Sequence, residues 1–207
     1  MSFDEFDELC NIIRTRGAAA RSITAIAGPP GAGKSTLAGQ LTDALNAQDT
    51  GSAAVFPMDG YHFDDRILNT RGWRKRKGAP HTFDVAGFAQ MLARLHSNDE
   101  AEVAIPVFDR EIEIARNSAR IIPRSVRHLI VEGNYLLLED LPWSGLSGLY
   151  DTTVYIDVPM QVLQRRLEQR WSGLCAEELR ANIVKNDLPN ARLVYSGSRA
   201  ADFVICQ

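Results

Sequence analysis

The sequence predicts an α/β fold, a mostly parallel sheet covered by helices on both faces. Three observations carry this. Short apolar runs suited to strands alternate with amphipathic runs suited to helices along the chain. The first buried run, Ser22 to Ala27, leads straight into a glycine-rich turn and then into leucines at helical spacing, Leu37, Leu41 and Leu45. No internal repeat or low-complexity linker interrupts the 207 residues, a length that suits one α/β domain with a substantial core.

The bulk numbers exclude several classes. Hydrophobic residues make up 45% and charged residues 24%, as in ordinary soluble globular proteins. A net charge of −3 argues against a general nucleic-acid binder, which carries a basic excess. Cys10, Cys175 and Cys206 are scattered, with no metal-ligand spacing and no disulfide framework, so a reducing cytoplasm is expected. The acidic N-terminus is unlike a secretory signal, and no apolar run is long enough to insert into a membrane. The composition leaves room for a homodimer.

Residues 2 to 15 place Phe3, Phe6, Leu9, Cys10 and Ile13 at helical spacing, closed by Gly17. The Ser22 to Ala27 strand follows. The turn after it, Gly28-Pro29-Pro30-Gly31-Ala32-Gly33-Lys34-Ser35, fits the phosphate-binding pattern G-x-x-x-x-G-K-[ST]. Its backbone N–H groups converge on phosphate oxygens, and the N-terminus of the next helix, about Lys34 to Ala47, adds partial positive charge. The expected phosphate-binding set is Gly28, Gly31, Ala32, Gly33, Lys34, Ser35 and Thr36. Lys34 reaches the β- and γ-phosphates, and the Ser35 hydroxyl can ligate Mg²⁺.

Ala53 to Met58 reads as a second strand ending in Asp59, and open α/β sheets bind ligands at such carboxyl ends. Residues 66 to 83 read as a long loop rich in Arg71, Arg74, Lys75, Arg76 and Lys77. The cluster could meet an anionic substrate or partner, or form a solvated loop. Asp84 caps a helix through Leu95. Val103 to Phe108 is extended and leads into Arg110; residues 111 to 125 suggest short β-pieces. Arg127 to Glu132 reads as a central strand and Tyr150 to Val158 as another. Pro159 suits the first turn of a helix bearing Arg165, Arg166 and Arg170. A helix over about Ala176 to Lys185, a short segment from Pro189 and a strand from Ala201 to Cys206 complete the chain.

Phosphoryl transfer needs a clamped donor, neutralised charge and an in-line acceptor. Lys34 and the loop amides clamp the donor. Ser35 and Glu132 are the expected Mg²⁺ holders, since Mg²⁺ takes oxygen ligands and keeps several waters. Asp59 is the candidate base on the acceptor side. Arg166 and Arg170, four apart on one helix face, can close over the transferring group. Arg110 can bind acceptor or phosphate, or pair with Asp109. The four histidines show no metal spacing; His62 and His81 lie in the expected acceptor loops. Trp73, Trp143 and Trp171 read as packing residues.

Several segments together resemble the uridine kinase, pantothenate kinase and phosphoribulokinase branch of P-loop kinases. They are the phosphate loop, Met58-Asp59-Gly60-Tyr61-His62, residues 77–84, Pro106-Val107-Phe108-Asp109-Arg110, Val131-Glu132-Gly133-Asn134-Tyr135 and Asn186-Asp187-Leu188-Pro189-Asn190-Ala191. Within that branch the chain most resembles bacterial proteins labelled nucleoside/nucleotide kinase family or putative fructose transport system kinase. The resemblance covers roughly residues 20–206. It implies a five-stranded parallel core, ATP as donor, Mg²⁺ and a small-molecule hydroxyl acceptor. It also implies an acceptor-side role for Asp59 and a phosphate- or metal-side role for Glu132. The expected substrate-binding set is Asp59, Tyr61, His62, Arg110 and Glu132, with a lid helix over about residues 159–172. Uridine kinases follow the Tyr-Asp of their acceptor segment with a His and an Arg; Glu113 and Ala115 stand in those places here. That favours a sugar such as fructose over a nucleoside. A nucleoside or pantothenate-like kinase is the alternative enzyme, and a regulatory nucleotide-binding NTPase the alternative of another class. The Asn-Lys-x-Asp motif of GTPase switches is absent, and Leu146-Ser147-Gly148-Leu149 fails the ABC-type signature.

Overall fold

Side chains alternating between the two faces of each strand build a sheet with a core on each side. In β1 (Ser22–Ala27), Ile23, Ala25 and Ala27 enter one core and Ile26 the other. In β5 (His128–Glu132), Leu129 and Val131 divide from Ile130 in the same way. Strands buried on both faces read as continuous apolar runs, as parallel strands under two helix layers must. The computed structural model describes residues 3–207; Ser2, the first residue of the expected N-terminal helix, lies outside them.

The remaining strands of this sheet are β2 (Ala53–Pro57), β6 (Thr152–Asp157) and β7 (Phe203–Cys206). All five are parallel in the order β2-β5-β1-β6-β7, so β1 is the middle strand and β5 lies beside it. On one face pack α1 (Phe3–Arg16), α2 (Lys34–Gln48) and α5 (Met160–Arg170), through Leu9, Ile13, Leu37, Leu41 and Leu163. On the other lie α4 (Val85–Ser97) and a 3₁₀ segment, Trp143–Leu149, contributing Phe88, Leu92, Leu95, Trp143 and Leu146. Each fully buried Leu or Phe contributes roughly 1.5–3 kcal/mol of apolar transfer, enough to hold both layers on the sheet.

A second, two-stranded sheet pairs β3 (Glu102–Asp109) with β4 (Ile114–Pro123) in antiparallel fashion. It resolves the ambiguous stretch 111–125 into one long hairpin arm. The expected loop 66–83 is corrected at its start. Asp65–Thr70 forms a short helix, α3, because the Asp64 carboxylate accepts from the Arg66 N–H at 2.9 Å and Gly72, at φ 69°, follows its C-terminus. Two 3₁₀ turns follow, Arg74–Arg76 and Pro80–Thr82. Much of the cation cluster there is bound internally. Arg74 and Lys77 both reach Asp65, at 2.8 and 2.7 Å, and Arg71 lies 4.9 Å from the ring centres of Phe63 and Trp73.

The C-terminal helical region is also longer than expected. The helix α6 (Ala176–Asn182), a π turn (Ile183–Asp187) and α7 (Leu188–Gly197) run on without a break. Pro189 therefore lies inside a continuous helical run, where α7 follows the π turn, rather than starting a short segment.

Candidate active site

Register brings the site together. Glu132 at the end of β5 lies level with Ile26 of β1 and Pro57 of β2. The phosphate loop leaves β1 two residues after Ile26, and Asp59 follows Pro57 by two residues. Three parallel strands thus deliver the loop, Asp59 and Glu132 to one edge of the sheet, where open α/β sheets bind ligands.

Local sequence shapes the phosphate loop. Gly31 and Gly33 adopt φ of 81° and 92°, a region costly for other residues, and Gly33 leads into α2. Lys34 is only 8% exposed, and its ammonium donates to the Pro29 carbonyl at 3.0 Å. Burial pushes its pKa down from 10.5 to about 8, while the charges of Glu132 and Asp59 pull it back up. Ser35 and Thr36 are exposed at the start of α2.

The Ser35 hydroxyl donates to Glu132 Oε1 at 3.2 Å. Glu132 is 7% exposed. Burial raises its pKa, the Asp59 charge adds to the rise, and Lys34 and the Ser35 hydrogen bond oppose it. Among the described residues no group of three or more His, Cys, Asp and Glu side chains could hold a metal. The donor set at the loop is instead two adjacent oxygens. That fits Mg²⁺, which binds through one or two protein oxygens plus phosphates and water.

Asp59 lies in the 3₁₀ turn Met58–Tyr61 that ends β2, and its carboxylate accepts from Arg110 Nη2 at 2.6 Å. Arg110 thus pairs with Asp59; Asp109 instead takes Arg116 at 3.3 Å. Because the Arg110 side chain is 54% exposed, the pair is accessible rather than sealed in the core. His62 makes a 2.8 Å contact from Nδ1 to the Asp59 carbonyl, and its ring packs on Phe83 and Phe108. Burial lowers its pKa, favouring the neutral ring. His62 thereby supports the turn that aims Asp59.

Tyr61 is placed elsewhere. Its ring packs against Phe56 and Phe88 in the core, and its hydroxyl is buried without a partner. A packing role replaces the acceptor contact expected from sequence. His81 sits beside Trp73, away from the Asp59 turn's own contacts.

The helix α5 approaches the loop from the opposite side to Asp59's strand. Leu167 lies 3.5 Å from where a Cβ on Gly31 would sit. Arg166 donates to the carbonyls of Gly31 and Ala32 at 3.3 and 3.4 Å and to Gln207 at 3.1 Å. Arg170 is exposed, 5.7 Å from the Trp171 ring centre, and its charge helps lower the pKa of Lys34. Arg166 therefore touches the loop, while Arg170 bears on Lys34 through its charge. Sequence reasoning gave no site role to the residues packed beside them. Trp171 donates from its indole to Asp187, and Asn186 and Asn190 hold residues 77 and 78. The polar Asn-Asp-Leu-Pro-Asn run was the available signal.

No family model matches the chain. Known proteins do. The chain is 35% identical over 197 residues to "Putative uridine kinase C227.14" of Schizosaccharomyces pombe, which spans 90% of this chain and 83% of that protein. It is 31% identical over 160 residues to a pantothenate kinase of Myxococcus xanthus, covering 73% of this chain and 50% of the other. The crystal structure of a "putative fructose transport system kinase" from Silicibacter sp. TM1040 superposes with a TM-score of 0.88 at 38% identity, over 99% of this chain and 98% of that one. Likeness of this extent covers the sheet, the phosphate loop and both flanks of the site at once, and the chain belongs to the P-loop kinases of the uridine kinase and pantothenate kinase branch.

Proposed function

We propose that this ATP-using phosphotransferase moves the γ-phosphate of ATP to a hydroxyl of a small polyol, a sugar such as fructose, with Mg²⁺ held by Ser35 and Glu132. One observation carries the reading. The Asp59 carboxylate, fixed by Arg110 at 2.6 Å, stands at the same sheet edge as the phosphate loop and interacts electrostatically with both Lys34 and Glu132. That is where an acceptor hydroxyl must sit to meet a γ-phosphate held by Lys34.

The acceptor oxygen forms the new P–O bond while the bond from γ-phosphorus to the bridging oxygen breaks and ADP leaves. Asp59 accepts the hydroxyl proton. A carboxylate is a weak base for an alcohol, so its larger service is orientation, and in a loose transition state the proton leaves late. Arg110 holds the Asp59 carboxylate in place. Lys34 neutralises charge growing on the β,γ-bridge, and Arg166 and Arg170 add positive charge from the lid side. Mg²⁺ held by Ser35 and Glu132 would supply charge neutralisation at the donor phosphates. The fructose assignment draws on the Silicibacter likeness and on Glu113 and Ala115, which lack the nucleoside-holding pair.

The test is ADP release with Mg-ATP against D-fructose, other hexoses and pentoses, uridine, cytidine, pantothenate and ribulose 5-phosphate, with a no-acceptor control. Strong turnover with one sugar supports the reading. Turnover with a nucleoside or pantothenate alone refutes the sugar assignment. Release unchanged by every acceptor favours an NTPase.

A further inference from the structure

The π turn Ile183–Asp187 lies between the acceptor loop and the lid, and it touches both. Its origin is local. Pro189 has no N–H to give the Lys185 carbonyl, and a proline ring crowds the carbonyl four residues back. The helix opens by one residue there, and the Leu188 N–H bonds to Ile183 five residues back. The Lys185 carbonyl, left without its helical donor, accepts from Arg76.

The opened turn presents neighbouring polar side chains in two directions. Toward the acceptor loop, Asn186 Nδ2 donates to the Lys77 carbonyl at 2.7 Å, and buried Asn190 accepts from Arg76 at 3.1 Å. Toward the lid, Asp187 Oδ2 accepts from the Trp171 indole N–H at 2.8 Å. Trp171 ends the α5 helix and carries Arg170 beside its ring. Burial raises the Asp187 pKa, and the Trp171 hydrogen bond and the Arg170 charge draw it back. Arg170 therefore stands within electrostatic reach of both Asp187 and Lys34.

We propose that Asp187 is a positioning residue: by holding the Trp171 indole it sets Arg170 at the phosphate loop, so that the π turn ties lid placement to the acceptor loop held by Asn186. This rests on the proposed role of Arg170 at the transferring phosphates. Without the indole bond, the end of α5 loses its anchor and Arg170 samples positions away from the loop. Asp187 itself need touch neither ATP nor acceptor.

The test is binding of Mg-AMP-PNP, a non-hydrolysable ATP analogue, by calorimetry on the full chain. Thermal unfolding of every variant without nucleotide checks that it is folded. Asp187→Ala weakens binding by about tenfold, the scale of one charge-assisted hydrogen bond's influence. Trp171→Phe, which removes only the indole donor from a packed ring, reproduces that loss. Asp187→Asn keeps an oxygen for the indole and restores binding to within about twofold of wild type. In an Arg170→Ala background, Asp187→Ala adds nothing further, because its effect runs through Arg170. A purely structural role predicts additive losses and no rescue by Asn, and either result overturns the proposal. If Arg170→Ala weakens binding while Asp187→Ala and Trp171→Phe do not, the inference fails and the assignment of Arg170 survives. If Arg170→Ala binds as wild type while Lys34→Ala does not, both the Arg170 role and the inference fall.

Discussion

Replacing Lys34 with Met should stabilise the nucleotide-free protein while abolishing nucleotide binding. The folded protein holds an ammonium almost out of water, and burial lowers its pKa from 10.5 to about 8. At about 1.4 kcal/mol per tenfold change in a proton equilibrium, keeping that charge folded at neutral pH costs about 3 kcal/mol. Methionine fills a similar volume without charge. The Pro29 carbonyl keeps the Ala32 N–H at 3.1 Å as a donor, so no acceptor is orphaned. Glu132 loses a cation, and its carboxyl then takes up a proton more readily, which returns part of the gain. A net stabilisation of about 1 kcal/mol remains, which raises the melting temperature by roughly 2–4 °C in a chain of this size. The pH dependence has a definite sign. Between about pH 8 and 10.5 the unfolded chain binds a Lys34 proton that the folded chain has lost. Wild-type stability therefore gains from this group as pH rises through that window, and the advantage of the Met variant shrinks. Circular dichroism melts from pH 7 to 10, with and without Mg-ATP, measure all of this. A Lys34→Met protein melting below wild type without nucleotide would refute the burial argument. A Mg-ATP stabilisation equal to that of wild type would refute the phosphate-loop assignment.

Three further outcomes are expected. Asp59→Asn should cut phosphoryl transfer by about 10² or more while Mg-ATP still binds, since the change lies on the acceptor side; loss of ATP binding in a folded variant would move Asp59 to the donor site. Glu132→Gln should raise the Mg²⁺ concentration for half-maximal turnover by roughly tenfold, as one charged oxygen ligand becomes neutral, and an unchanged Mg²⁺ dependence in steady-state titrations would remove Glu132 from the metal. Phe88→Ala should cost about 3–5 kcal/mol in urea unfolding, because the ring is fully buried, stacked on Phe56 at 5.3 Å and packed edge-on to Tyr61 at 5.1 Å; a loss under about 1 kcal/mol would mean that this core face collapses freely around the gap.

What could be read from the sequence follows the range of the forces involved. Ser22 to Ala27 was legible as β1 to the residue, because a short apolar, partly β-branched run stands between Arg21 and the Gly28-Pro29-Pro30 turn. The phosphate loop and α2 were legible because their function depends on neighbouring backbone groups, which leave glycines, Lys34 and Ser35 in fixed order. The helix α3 was not, since six residues with two apolar side chains show no period to detect. The β3–β4 arm was half legible: β4 is mostly exposed and shows no clear alternation, and pairing across the hairpin, not local propensity, defines its length. Tyr61 was misassigned because adjacency to Asp59 in the chain says nothing about which way a 3₁₀ turn points each side chain.

The amino-acid order alone determined the α/β class and the phosphate-binding turn and singled out Lys34, Ser35, Asp59 and Glu132 as candidates, because each depends on residue type and immediate neighbours. Tertiary structure decided which of them act together. Ser35 meets Glu132 across 97 residues, Asp59 meets Arg110 across 51, and the Trp171–Asp187 bond ties the end of α5 to the π turn. Those contacts depend on strand order and register, which come from the packing of two cores on one sheet and leave no local trace in the chain.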